Sequence, residues 1–324
     1  MSRFTRAAAG PHAPLPPARE LTVRSADGAP IHVELHGRTG DPGAPAVVLS
    51  HGWTCSTAFW AAQLRDLSRD HLVIAYDQRG HGRSPAPAGQ ARYSTGALAD
   101  DLVAVLEATL GPGRRAVVAG HSMGAMTIIA AARREEFRAR AAAALLCSTG
   151  DVDLVPEATV LPLRAGRLRT RLTRAVLGSR LPLGPVTPVS RRILRYATMG
   201  PGSAPAKVDA CARIVHACPT GPRRAWSQVL DGLDLSAEVP QLTVPTAVLT
   251  GTADRLTPLV HARRIAAALP RPLGLTELTG LGHMTPVEAP EAVNARIREL
   301  VTDHLAVTSC TETDRAETEE APQP

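Results

Sequence analysis

Three residues in this chain have the types and positions to work together as nucleophile, base and orienting acid: Ser122, His283 and Asp254. Ser122 is the centre of Gly120-His121-Ser122-Met123-Gly124, which follows the apolar run Ala116-Val117-Val118-Ala119 and precedes Met126-Thr127-Ile128-Ile129-Ala130-Ala131-Ala132. That order predicts a strand, a sharp turn and a helix. Such a turn strains the backbone of its central residue, so the positions two before and two after it must lack a Cβ for strand and helix to approach. Gly120 and Gly124 meet that demand. Ser122 is then lifted to the carboxyl end of a strand beside the first N–H groups of a helix, where a nucleophile belongs. The competing reading is a serine in an ordinary strand-to-helix loop.

A serine hydroxyl is a poor nucleophile at neutral pH and needs a base, an acid to orient that base, and donors for the oxyanion. His283 lies in Gly280-Leu281-Gly282-His283-Met284, a flexible loop just after a predicted strand. Asp254 follows Gly251-Thr252-Ala253 at the end of the preceding strand, placed to accept the Nδ1 proton of His283 and fix its tautomer. Each has a plainer alternative, Asp254 as a cap for a helix at Thr257-Pro258 and His283 as a turn residue. The functional reading is favoured because all three fall at carboxyl ends of predicted strands, where ligand sites of open α/β sheets gather. Asp151 and Asp153 are the reserve candidates for the acid.

The elements that must position these residues follow in order. Leu21 to Ser25 and Ile31 to Leu35 flank Asp27-Gly28 as a hairpin. Short apolar runs at 46–50, 72–76, 116–119, 142–147 and 246–250 suit strands buried on both faces, and another strand lies near 273–278. Helical spacing occupies 57–68, with Phe59 and Trp60 as core, then 98–110, 258–269 and 290–305. Strand and helix alternate, so a mostly parallel sheet is expected. Between the strands at 142–147 and 246–250 lies a long interruption with helical stretches punctuated by Pro182, Pro185, Pro188, Pro201, Pro205, Pro219 and Pro222. A helical insertion over 151–240 is expected. The core then comprises 20–150 and 241–306, with a disordered arm at 1–19 and a disordered acidic tail at 307–324.

With 324 residues, 44% hydrophobic and 20% charged, the chain can bury a sizeable core. It has no apolar run long enough to span a bilayer and no continuous apolar core near its start, so a cytoplasmic protein is expected. The five cysteines are scattered without a Cys-x-x-Cys pair, which argues against a disulfide framework or zinc site. The net charge of +6 rests on arginine, Lys207 being the only lysine. Without interleaved aromatics or a binding motif, that excess does not point to nucleic acid.

In its motifs and their order, the chain from Leu21 to Leu305 resembles the α/β-hydrolase superfamily. The carriers are His51-Gly52, Asp77-Gln78-Arg79-Gly80-His81-Gly82-Arg83-Ser84, Gly120 to Gly124, and Gly282-His283 after Asp254. The resemblance implies an α/β-hydrolase fold: a mostly parallel eight-stranded sheet, helices on both faces and a helical cap made by the insertion. It also implies an oxyanion hole from the backbone N–H groups of Trp53 and Met123, a structural turn at Asp77, Arg79 and His81, and a bracing role for His51. Relatives that open epoxides or remove halides carry Asp where this chain has Ser122. Cofactor-free haloperoxidases usually have a further Gly where Ala125 stands.

The expected activity is a serine hydrolase cleaving a carboxylic ester of a small to medium, mostly apolar substrate, with no metal or organic cofactor. Alternatives with the same triad are a C–C bond hydrolase, lactonase, lyase or cofactor-free haloperoxidase or perhydrolase; a ligand-binding receptor with little turnover is the non-enzymatic one. Tyr196, Met199 and Trp226 are read either as lining for the substrate pocket or, preferentially, as the insertion's own core. From 158 to 206 there is no acidic residue, while Arg164, Arg167, Arg171 and Arg174 recur on one face of a helix expected over 161–177. A solvated face is the favoured reading, and contact with an anionic membrane surface or an acidic substrate the alternative.

Overall fold

The computed structural model describes residue 10 and residues 12–305. Eight strands, β1 (Arg19–Arg24), β2 (Pro30–Gly37), β3 (Ala46–Ser50), β4 (Leu72–Tyr76), β5 (Ala116–His121), β6 (Ala141–Cys147), β7 (Thr246–Gly251) and β8 (Pro272–Leu278), form one sheet in the order β1-β2-β4-β3-β5-β6-β7-β8. β2 pairs antiparallel with both β1 and β4, and every other pair is parallel. The chain winds outward from β3 to β4 and then returns to place β5 on the other side of β3. That reversal opens a crevice at the carboxyl ends of β3 and β5, where ligands bind in such sheets.

The continuous apolar strands reflect burial on both faces. Val48, Ile74, Val118, Leu146 and Val248 pack with the helices Thr95–Thr109, Met123–Ala130 and Leu259–Ala268. Val47, Leu49, Val73, Ala75, Val117 and Leu145 face the opposite way, against the helices Ala61–Leu67 and Pro290–Leu305. The expected helix at 57–68 begins as a 3-10 turn, Thr57–Trp60. Phe59 and Trp60 are core residues.

Between β6 and β7 the chain forms the helices Leu154–Glu157, Arg167–Leu177, Pro188–Thr198, Pro205–Ala217 and Thr220–Asp231. The two ends of this insertion meet: Val152 bridges Asp234, and the N–H of Leu235 donates to the Asp151 carbonyl at 2.7 Å. The basic helix is shorter than expected, beginning at Arg167 and not near Leu161. Pro162 biases its predecessor away from helical geometry, and Gly166, with φ 146°, precedes the first turn.

Residues 12–19, expected to be part of a disordered arm, lie on the domain instead. Leu15 packs against the core, the Ala13 carbonyl accepts from Arg65 at 2.8 Å, Ala18 N–H donates to Leu35, and Arg19 already belongs to β1. The remainder of that arm and the acidic tail fall outside the described residues, as does Cys310. Cys55, Cys147, Cys211 and Cys218 are free thiols. Among the described residues no helix is long and apolar enough to cross a membrane.

Candidate active site

β5 ends at His121, and Ser122 turns the chain with φ 53°, in the left-handed region a serine rarely adopts. The strain is held by hydrogen bonds on both sides of the residue. Its N–H donates to the Cys147 carbonyl at 2.9 Å; its carbonyl accepts from the N–H groups of Ala125 (2.9 Å) and Met126 (3.0 Å) and from Thr149 Oγ1 (3.0 Å). The flanking glycines are required sterically: a Cβ on Gly124 would lie 2.0 Å from the Ser50 carbonyl oxygen, and one on Gly120 would lie 2.5 Å from the Gly124 carbonyl carbon.

The loop after β3 comes up against this turn. A Cβ on Gly52 would sit 2.7 Å from His121 Nδ1 and 3.1 Å from Ser122 Cβ, so glycine lets the loop backbone pass this close without displacing the elbow. His51 braces it. The His51 Nδ1–H donates to the Gly52 carbonyl at 2.8 Å, Nε2 accepts the Gln78 N–H at 3.0 Å, and the Gln78 side-chain amide donates to the His51 carbonyl. Burial pushes the His51 pKa down to about 3, so it stays neutral in that role. The backbone N–H groups of Trp53 and Met123 have no acceptor among the described residues, Met123 being the first residue of its helix.

Asp254 and His283 are brought together at the ends of β7 and β8. His283 Nδ1 lies 2.8 Å from Asp254 Oδ2, and both residues are buried. Asp254 also accepts from the N–H groups of Leu256 (2.8 Å) and Thr257 (2.9 Å) and from Thr257 Oγ1 (2.8 Å). The two readings of Asp254 therefore coexist, since it satisfies the loop entering the next helix and faces the imidazole. With Nδ1–H donating to the carboxylate, Nε2 carries the lone pair. Thr257 was not anticipated as a site residue; its only sequence signal is a position three residues after Asp254.

His121 was likewise passed over. Its Nε2–H donates to the His283 carbonyl at 2.8 Å, and its ring lies between those of Phe59 (4.6 Å) and His283 (4.9 Å). Burial, followed by the charge of His283, drives its pKa well below the usual histidine value. The insertion holds the same loop from the other side, the Thr198 carbonyl accepting the N–H groups of His283 (2.9 Å) and Met284 (3.2 Å). Glu288 accepts from the N–H groups of Gly200 (2.6 Å) and Gly282 (3.1 Å).

Asp77, Arg79 and His81 are spent on structure. Asp77 accepts the N–H groups of Thr57 and Arg83, each at 2.8 Å; Arg79 is buried against Asp101 and reaches Asp27; His81 accepts the Thr54 N–H at 3.2 Å. Of the reserve acids, Asp151 is paired with Arg264 at 2.7 Å, and Asp153 is an exposed residue at φ 57°. Tyr196, Met199 and Trp226 do not converge on a pocket. Trp226 is fully buried and donates Nε1–H to the Arg79 carbonyl at 3.1 Å, Met199 is buried in the core, and Tyr196 is exposed with the Arg255 guanidinium 4.4 Å above its ring. Trp53 ties its loop to the insertion by donating Nε1–H to the Arg223 carbonyl at 3.0 Å. Glu20, His32 and Glu34 lie close enough together for a cation, but the Arg83 guanidinium sits among them, 3.2 Å from His32 Nε2.

A protein of Stutzerimonas stutzeri named carbamate hydrolase RutD is 31% identical over 280 residues, covering 85% of this chain and 97% of its own length. Epoxide hydrolase A of Mycobacterium tuberculosis is 27% identical, covering 81% of this chain and 92% of its own length. The structure of an esterase from Thermogutta terrifontis superposes with a TM-score of 0.70 at 24% identity, over 89% of this chain and all of that one, a likeness of fold. The model of the alpha/beta hydrolase family matches residues 47–296. With an elbow, a braced loop and a histidine–carboxylate pair at the ends of one sheet, and with that match running through most of its length, the chain belongs to the alpha/beta hydrolase family and is a hydrolase.

Proposed function

We propose that the protein hydrolyses carboxylic esters through an acyl-enzyme on Ser122. The observation that carries the proposal is the strained Ser122 turn, tied through its neighbour His121 to the backbone of His283, whose imidazole pairs with Asp254 at 2.8 Å. In the proposed reaction His283 Nε2 takes the Ser122 proton as Oγ attacks the ester carbonyl, and Asp254 stays ionised while it orients the imidazole. The N–H groups of Trp53 and Met123 receive the developing oxyanion, a use consistent with their having no other acceptor among the described residues. The proton on Nε2 then passes to the departing alkoxide. Water, deprotonated by His283 in turn, attacks the acyl carbonyl; the bond from that carbon to Ser122 Oγ breaks as Oγ takes the proton back from Nε2, and the acid is released.

Ser122 weighs against epoxide opening, despite the likeness to an epoxide hydrolase. Attack by serine on an epoxide leaves an alkyl ether with no carbonyl for water to attack. A carbamate is the second reading, motivated by the likeness to RutD, because it presents the same acyl carbonyl to the same nucleophile. Fluorophosphonate labelling that disappears in Ser122→Ala, with turnover of esters graded in acyl length alongside matched carbamates, tests both. Failure of the intact protein to label would sink the serine mechanism. Labelling with carbamate turnover exceeding ester turnover would favour the second reading.

A further inference from the structure

Nine of the ten large apolar side chains exposed among the described residues lie between 163 and 196, within the insertion. On the helix Arg167–Leu177, the residues Leu168, Leu172 and Val176 stand one turn apart and all face solvent, whereas the one buried residue of that helix is Thr173. The apolar stripe of an amphipathic helix normally faces the core. This one is turned outward. On the helix Pro188–Thr198, Leu194 is turned inward, but Val189 (68% exposed) and Ile193 (63%) face solvent, and the connection between the two helices carries Leu181 (74%).

The same stretch is strongly basic. Residues 158–206 contain nine arginines and no aspartate or glutamate, which leaves the remainder of the chain net negative. Among the described residues only Arg174 and Arg191 of the nine are paired with carboxylates, those of Asp231 and Asp209. Arg164, Arg167, Arg171 and Arg192 are exposed beside the outward apolar residues.

We propose that this face of the insertion rests on an anionic membrane surface, with the leucine, valine and isoleucine side chains entering the headgroup–acyl boundary and the arginines meeting lipid phosphates. Charge decides the occupant. A second copy of the same face would set arginines against arginines, whereas an anionic bilayer is complementary to both the apolar stripes and their basic flanks. Both helices have 11 residues, far short of a span, so the face lies on the membrane and does not cross it. This inference does not depend on the ester reading, because binding is measured without turnover.

The test is co-sedimentation of the full chain with vesicles of phosphatidylcholine alone or mixed with phosphatidylglycerol. Partitioning onto the anionic vesicles should exceed that onto the neutral ones by at least about tenfold and should collapse near 1 M salt, where screening acts within about 3 Å. It should fall by a similar factor in Leu168→Ser/Val189→Ser/Ile193→Ser and in Arg164→Gln/Arg167→Gln/Arg171→Gln. Thermal melting of both variants at the wild-type temperature should accompany the loss. Ser122→Ala should bind as the wild type does. No sedimentation with anionic vesicles at low salt overturns the proposal, as does equal binding to neutral vesicles or retention by both triple variants. A wild-type dimer that Leu168→Ser/Val189→Ser/Ile193→Ser converts to monomer, without vesicle binding, also overturns it and assigns the face to a second copy.

Discussion

The Nε2–H of His121 donates to the backbone carbonyl of His283 at 2.8 Å, so the residue preceding the serine directly holds the loop that carries the histidine. Because a carbonyl only accepts, His121 must carry its proton on Nε2. Its Nδ1 is buried and has no hydrogen-bond partner among the described residues.

That bond predicts a positioning effect. His121→Ala should lower kcat by roughly tenfold, the consequence of losing a buried hydrogen bond worth about 1–1.5 kcal/mol, with KM little changed. His121→Gln, whose amide can reach the same carbonyl, should recover most of the rate. Equal rates for alanine and glutamine variants, or a change confined to KM, would show that the bond does not position the base.

Asp254→Asn should keep the fold, since the amide oxygen still accepts the N–H groups of Leu256 and Thr257, while kcat falls by about 10³–10⁴ as the imidazole loses its oriented tautomer. Thr257→Val removes one of several donors to the same carboxylate, and a loss of roughly tenfold is expected. Thr257→Ser should be near normal. Steady-state kinetics on one ester compares all three.

Buried neutral histidines set the acid side of stability. Burial, opposed by the carbonyls of Arg79 and Gln78, pushes His81 down to about 4. The folded state then refuses a proton that the unfolded chain takes up below about 6.5. The contribution is fully present above that pH and is lost as pH falls toward about 4. Asp77, which burial raises to about 6, acts in the opposite direction over part of this window, so the informative quantity is a difference between proteins. In His81→Gln, whose amide oxygen can still accept the Thr54 N–H, the slope of unfolding free energy between pH 4.5 and 6 should be shallower by about 1.4 kcal/mol per pH unit. Urea titrations at several pH values measure it, and parallel slopes would refute the assignment.

Arg223 is buried, and its guanidinium donates to the carbonyls of Ser179 and Leu181, while its own carbonyl receives Trp53 Nε1–H. Arg223→Ala should free the segment on either side of Arg180 and speed tryptic cleavage there several-fold, since proteolysis follows local opening. Mass spectrometry of early digests identifies the cut. An unchanged rate at Arg180 would mean that the segment is held by other contacts.

Much of the architecture was legible in the sequence because its causes are local. Strands buried on both faces must be continuous apolar runs, and the chain shows them from Ala46 to Ser50 and from Leu72 to Tyr76. A turn that strains Ser122 must have glycine at 120 and 124, since any Cβ there meets backbone. Asp254 and His283 were found as loop residues following strands, a position that pattern alone supplies.

What the sequence by itself determined was therefore the alternation of elements, the elbow and the identity of the residues that follow each strand. Tertiary structure decided the pairings between distant positions. His121 with His283, Trp53 with Arg223 and Asp151 with Arg264 join segments more than a hundred residues apart, and no local periodicity encodes such a meeting. It decided orientation as well. Leu168, Leu172 and Val176 mark an apolar stripe by spacing alone, but spacing is blind to which side of a helix its neighbours occupy. Packing turned Thr173 inward and left the leucines facing out, because the burial of a helix face is a property of what surrounds it.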